Sequence, residues 1–164
     1  MRVWLATMLA ILVLAQPMAM AAEPTLPPWR RELPEGRSRQ TITVGTTEVQ
    51  VDLAITPEEQ TLGLGYRNGL DDGSGMLFVG TVSRTRTFWM KGMRFCLDII
   101  WIEDGKIVGA AENACPDPDG TSDGNRATFS SGMPVTHVLE MPAGWMAANG
   151  YGPGTPVDLG ELEP

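Results

Sequence analysis

The stretch LDIIWIEDGKIVGAAEN, residues 97–113, decides the fold. Asp104-Gly105 is a two-residue turn signal, because this pair accepts the positive φ angles of a type I′ turn. Apolar and β-branched residues flank it, from Leu97 to Glu103 and from Lys106 to Asn113. The segment is therefore expected to be an antiparallel hairpin. A turn at Asp104-Gly105 sets Ile102 against Ile107, Ile100 against Gly109, Asp98 against Ala111 and Cys96 against Asn113. Cys115 is then diagonal to Cys96, about 7 Å away, whereas a disulfide needs Cβ atoms about 4 Å apart. Splay or bulging at the open end of the hairpin would close that gap. Cys96 and Cys115 are the chain's two cysteines and form a candidate disulfide, with two buried thiols as the alternative. Such a bond closes a loop of about 20 residues, worth roughly 3 kcal/mol in the chain-entropy model and less where a hairpin already restrains the loop. No CxxC pair exists, so a thioredoxin-like redox role has no support.

Upstream, Thr41 to Val44 and Thr47 to Ile55 read as a second hairpin around Gly45. Val49, Val51, Leu53 and Ile55 alternate with polar residues, the period of a half-buried strand. Thr56-Pro57-Glu58-Glu59 is a helix start: a capping threonine, proline at the first position and glutamate three residues on. The helix is expected to run to about Tyr66. Residues 70–75 read as a loop, Met76 to Val79 as a short buried strand, and Thr85 to Lys91 as another. Downstream, residues 116–134 read as loop and Val135 to Met141 as a strand. Ala143 to Asn149 reads as a short helix and Pro156 to Leu159 as a last strand. The sum is an α+β domain, predominantly β, with seven or eight strands in a curled antiparallel or mixed sheet that could close toward a barrel, and two short helices.

The chain has 164 residues and a formal charge of −8. Its start has the three parts of an export signal: Arg2, an apolar run from Val3 to Ala15, and Ala19-Met20-Ala21. Thirteen helical residues span about 20 Å, short of a hydrocarbon core of roughly 30 Å. Cleavage after Ala21 or Ala22 is expected, giving a periplasmic or extracellular protein with no stable membrane span. Loss of residues 1–21 removes Arg2 and takes the charge from −8 to −9. Residues 22–40, rich in proline and mixed charge, read as an extended arm, and residues 41–164 as one globular domain. An acidic chain without a basic cluster is a poor partner for nucleic acid, since phosphate neutralisation needs lysine and arginine.

The densest polar and aromatic stretch is RTRTFWMKGMRFCLD, residues 84–98. Alternation sets Phe88 and Met90 on one face, and Thr87, Trp89 and Lys91 on the other. Asp98 opens an apolar strand, and a buried carboxylate needs a partner. Lys91 and Arg94 are the nearest cations in sequence. One reading is a buried ion pair holding the turn. The other is a ligand site of Trp89, Lys91, Arg94 and Asp98, with the indole as a stacking wall and a cation as anion contact.

Four stretches carry a resemblance: GLGYRNGLDDGSGMLFV, RTFWMKGM, LDIIWIEDGKIV and VLEMPAGWMAANGYGPGTPVDL. They resemble the recurring blocks of the domain-of-unknown-function 192 family, over roughly Val49 to Leu159. The resemblance implies a mixed β fold with few helices and no established activity. The family usually has Asn-Thr after FWMK, where this chain has Gly92-Met93. The matching positions that could bind a ligand are Trp89, Met90, Lys91 and Asp98.

Other chemistries are weaker. Asp117, Asp119, Asp123 and Asn125 resemble the start of a calcium loop, but Ser130 stands where the closing glutamate belongs. Met90, Met93, Met133, Met141 and Met146, with His137, could suit Cu(I), although methionine commonly fills core gaps. Ser130 and Ser131 lack a nucleophile elbow. Glu112 is expected to point away from Asp98, and Glu140 to alternate outward to solvent. No metal and no cofactor is expected. The reading is a small binding or accessory module of the cell envelope, its partner a small molecule or envelope component. The alternatives are a hydrolase acting on an envelope glycan or peptide, and a metal-binding protein.

Overall fold

The structure is a computed structural model that describes residues 38–162. The expected export signal and most of the arm lie outside the described residues. The domain begins slightly before the expected Thr41, with β1 at Arg39–Val44.

β1 and β2 (Thr47–Ala54) form the first hairpin. At the end of β2 the chain enters α1 (Pro57–Leu62) through a complete capping box. Thr56 Oγ1 accepts from the Glu59 amide at 3.2 Å, and Glu59 Oε2 accepts from the Thr56 amide at 2.9 Å. The helix stops at Gly63, whose φ of 52° leaves the helical region, and so does not reach Tyr66. α1 is the crossover that lets β3 (Ser74–Phe78) pair parallel with β2.

β5 (Leu97–Glu103) and β6 (Lys106–Ala114) form the expected hairpin, and its turn pairs Glu103 with Lys106 and Ile102 with Ile107. Beyond that the register differs from expectation. A bulge sets Trp101 against Gly109, Ile100 against Ala110 and Ile99 against Ala111. A second sets Leu97 against Ala114, with Asn113 at a φ of 53°. Each bulge spends one extra residue on β6. Together they carry Cys115 from the diagonal position to the one facing Cys96, with Cα atoms 4.1 Å and sulfurs 2.01 Å apart.

β4 (Arg84–Trp89) pairs with β7 (Thr128–Val135) in a separate two-stranded ribbon. β7 was expected to be loop, because TFSSGMPV carries a glycine, a proline and two serines. Such a strand survives as the partner of a single neighbour, where a missing amide costs little. β8 (His137–Pro142) follows after Thr136 rather than starting at Val135. α2 is Trp145–Asn149, and β9 is Val157–Asp158.

The main sheet has the order β6-β5-β8-β3-β2-β1-β9. It curls until its two edges meet at one end. There the Val157 amide donates to Gly105 O at 2.8 Å, and the Ile107 amide to Thr155 O at 2.9 Å. The concave side holds one apolar cluster, including Val51, Leu77, Ile100 and Leu139. The convex side holds a second, including Met76, Phe78, Ile99 and Val138, under the β4–β7 ribbon. Phe88 of the ribbon meets Phe78 edge-on at 4.9 Å. Burial on both faces explains why β3 and β5 read as continuous apolar runs. It also decides the fate of every polar residue placed on those central strands.

Candidate functional site

A cleft of about 600 Å³ opens between α1 and β4. Pro57, Gln60 and Thr61 of α1 form one side. Arg84, Arg86, Phe88 and Trp89 of β4, with Lys91 just beyond it, form the other, and Glu140 of β8 also lines it. Among the described residues, three cations and one carboxyl thus share the cavity wall.

Trp89 is 45% exposed, as its alternation with Phe88 and Met90 predicted. The Lys91 ammonium lies 5.1 Å from the centre of its ring, a cation–π contact. The same ammonium donates to Asp123 Oδ2 at 2.5 Å. Asp123 also accepts from Arg126 Nε at 3.0 Å, and Arg126 lies 3.6 Å from Asp117. This chain of charges ties the loop after β6 to the rim of the cleft.

Arg86 stands at the inward position of β4 and is buried. Its Nε donates to Val135 O at 3.4 Å and its Nη2 to Thr136 O at 3.0 Å. Gly80 packs against the guanidinium so closely that a Cβ there would overlap Arg86 Nη2 and Thr136 O. Burial first, and then the Arg84 charge, lower the Arg86 pKa from its ordinary value. Both effects make an incoming anion welcome at this pair.

Glu140 was expected to face solvent. Instead it is 5% exposed, because β8 is a central strand covered on both faces. It lies opposite Met76 on β3 and Ile99 on β5. Burial alone pushes its pKa up to about 8, so at neutral pH the group is a carboxylic acid. Its Oε2 is buried without a hydrogen-bond partner among the described residues.

Asp98 differs from expectation in the opposite sense. It is fully buried, and neither Lys91 nor Arg94 pairs with it. Its Oδ1 accepts from the Asn113 amide at 2.9 Å and the Gly144 amide at 3.2 Å, and its Oδ2 from the Met146 amide at 2.9 Å. These bonds tie the β6 bulge and the entrance of α2 to β5. Asp98 is a structural anchor outside the cleft. Arg94 donates to Asn68 Oδ1 and contributes nothing to the cleft wall.

The remaining candidates fall in other places. Ser131 Oγ accepts from the Arg86 amide and donates to Met133 O, and Ser130 Oγ accepts from the Gly132 amide. Both hydroxyls are thus engaged by backbone. Glu112 is exposed, away from buried Asp98. Asp117 and Asp123 of the calcium-like loop are engaged by arginine and lysine. Among the described residues no three His, Cys, Asp or Glu side chains gather as a metal site. The methionines divide, with Met141 and Met146 in one apolar cluster and Met90 and Met93 at the other. Half-buried His137 has its pKa lowered by burial and by the Arg86 charge, with Glu103 opposing.

Residues 39–159 match the family model DUF192, described as Uncharacterized ACR. The chain is similar to a solved protein of unknown function from Novosphingobium aromaticivorans DSM 12444, at 29% identity and a TM-score of 0.68 over 87% of this chain and 99% of that one. It is also similar to a solved protein of Sinorhizobium meliloti 1021 described as a candidate transcription regulator, at 30% identity and a TM-score of 0.67 over 74% of this chain and 94% of that one. No curated protein matches the chain.

Proposed function

For a chain that belongs to the DUF192 family, we propose an exported binding module of the cell envelope whose ligand enters the cleft between α1 and β4. The carrying observation is the cavity itself, about 600 Å³ walled by Trp89, Lys91, Arg84 and Arg86. An exposed indole beside clustered cations suits a ligand with an anionic group and a flat apolar face. Asp98 and Arg94 leave the site, and Arg84 and Arg86 enter it.

The hydrolase alternative needs two converging acid groups. Glu140 is the single carboxyl on the cleft wall among the described residues, so that reading is the weaker one. A role on nucleic acid is disfavoured by the charge of −8, since phosphate neutralisation needs a basic surface.

The test compares protein purified from its own envelope with a Trp89→Ala/Arg84→Ala variant. Small molecules released from each are profiled by mass spectrometry. A compound retained by the wild type and lost from the folded variant is expected, and identical profiles would sink the proposal. Amino-terminal sequencing of the same material checks export, with Ala22 or Glu23 expected as the first residue.

A further inference from the structure

Glu140 and Arg86 are two buried polar groups that the fold leaves with unfinished chemistry. The same fold satisfies Asp98 completely with three backbone amides. Glu140 receives no such treatment. Its Oε2 has no partner among the described residues, and its flanks on β3 and β5 are Met76 and Ile99. A glutamate is an expensive way to fill an apolar site, where a methionine of similar volume would pack without desolvation cost. Arg86 reaches carbonyl oxygens, and no carboxylate pairs with it among the described residues. Both side chains line one cavity, with Trp89 and Arg84 on the same wall.

We propose that the Glu140 carboxyl donates a hydrogen bond, from the buried part of the cleft, to a ring-bearing oxyanion whose carboxylate or phosphate is held by Arg84 and Arg86 and whose ring lies against Trp89. A sugar acid or a sugar phosphate has this chemistry. It supplies the anion, a face of C–H groups for the indole, and hydroxyl or ring oxygens that accept from Glu140. The assignment rests on the cleft being the binding site proposed above. Burial keeps Glu140 protonated at neutral pH. The other charged groups lining the same cavity are Arg84, Arg86 and Lys91, while α1 contributes uncharged Gln60 and Thr61, and burial alone sets the Glu140 shift. His137, on the same strand, interacts with Arg86 and Glu103 instead. An anionic ligand and an ionised Glu140 would repel each other, so binding belongs to the acid form.

The experiment is calorimetric titration of the full mature protein with glucuronic acid and glucose 6-phosphate. Neutral glucose and inorganic phosphate serve as controls without an anion and without a ring. The wild type is expected to bind at least one ring-bearing anion about tenfold or more tighter than either control. Glucuronate stays ionised across the range, so it carries the pH series. Its affinity should fall about tenfold or more between pH 6.5 and pH 9.5 as Glu140 ionises. Glu140→Gln keeps a donor and has no proton to lose, so it should bind within a few-fold of the wild type at pH 6.5 and show no such fall.

A pH-independent wild type, or a folded Glu140→Gln that loses glucuronate at pH 6.5, overturns the donor role; the second result would instead make Glu140 an ionised acceptor for the ligand's hydroxyl protons. Binding abolished by Arg84→Ala yet unmoved in level and pH profile by Glu140→Gln leaves the cleft standing and removes Glu140. No binding of any probe, while the envelope extract still yields a compound lost in the variant, overturns the ligand class and spares the cleft.

Discussion

The Asp98 carboxylate accepts the Met146 amide at 2.9 Å across 48 residues of sequence. This bond fixes the first turn of α2 over one end of the curled sheet, where Met146 enters the concave apolar cluster. Two further amides, from Asn113 and Gly144, complete the set. Replacement by alanine strands three donors, the Met146 amide buried and the Asn113 and Gly144 amides partly so. Asp98→Ala is expected to cost about 3–5 kcal/mol, and Asp98→Asn somewhat less because one acceptor remains. Urea denaturation measures both. A loss below about 1 kcal/mol for the alanine variant would show that α2 is held by other means.

Glu140 makes stability fall as pH rises. Its folded pKa of about 8 lies above the ordinary glutamate value of 4.5. Between those values the native state holds a proton that the unfolded chain has released, so the slope of stability against pH is negative. The stabilising difference is whole below the unfolded pKa, declines through neutrality and is lost above the folded pKa. Glu140→Gln removes this dependence. At pH 8 it should be more stable than the wild type by roughly 1–3 kcal/mol, the advantage shrinking toward pH 4.5. Thermal melts across that range decide it, and parallel curves for the two proteins would refute the buried acid.

These two carboxyls show where the sequence was readable and where it was not. The Asp104-Gly105 turn, the Thr56–Glu59 capping box and the outward face of Trp89 follow from local chemistry, and each stands where expected. Asp98 was correctly read as a buried charge in need of partners. Those partners are backbone amides, and a sequence displays side-chain charges rather than the direction of distant N–H groups. Alternation alone implies one solvated face and would place Glu140 in water, whereas β8 is covered on both faces. The run VLEM, with Val138, Leu139 and Met141 all buried, carried the signal of a strand covered on both sides. Arg86 was legible too: a period of two aligns it with Phe88 and Met90, the buried face.

The Cys96–Cys115 pair should strengthen the bulged end of the β5–β6 hairpin. A 19-residue separation gives roughly 3 kcal/mol for a free loop, reduced here to about 1–2 because the hairpin already restrains it. Adding dithiothreitol should lower the denaturation midpoint accordingly, and Cys96→Ala/Cys115→Ala should match the reduced wild type and ignore the reductant. A wild type that does not respond, with free thiols titrating in the unreduced protein, would show that the pair is not oxidised.

Asp52 gives the acid side of the stability profile. Burial works against its ionisation, but hydrogen bonds from Arg39 at 3.0 Å and Arg67 at 2.7 Å prevail, and its pKa lies below the ordinary value. A depressed carboxylate contributes stability that is complete above its unfolded pKa and disappears as pH falls through the lower folded value. Asp52→Asn should therefore be less stable than the wild type at pH 6, with the gap closing as pH falls below the ordinary aspartate value of 3.8. Arg39 is largely exposed and counts for less than Arg67, so Arg67→Met should reproduce more of the loss than Arg39→Met. The reverse order would place the pair's weight on the surface contact.

Gly80 tests the support of the anion end of the cleft without touching a proposed ligand contact. A Cβ at this position would overlap both Arg86 Nη2 and Thr136 O. The carbonyl belongs to the backbone between β7 and β8 and moves reluctantly, whereas the guanidinium is the far end of a flexible side chain. Gly80→Ala should therefore be accommodated by displacing Arg86 from the Thr136 carbonyl, at a cost of about 1–3 kcal/mol. Because the guanidinium is then misplaced, glucuronate affinity should drop by an amount approaching that of Arg86→Met, while the β5–β6 hairpin and its cysteine pair stay unaffected. Equal stability and affinity in Gly80→Ala and the wild type would mean that Arg86 is not seated against this glycine, and the charge proposed to meet the ligand would have to be Arg84 or Lys91 instead.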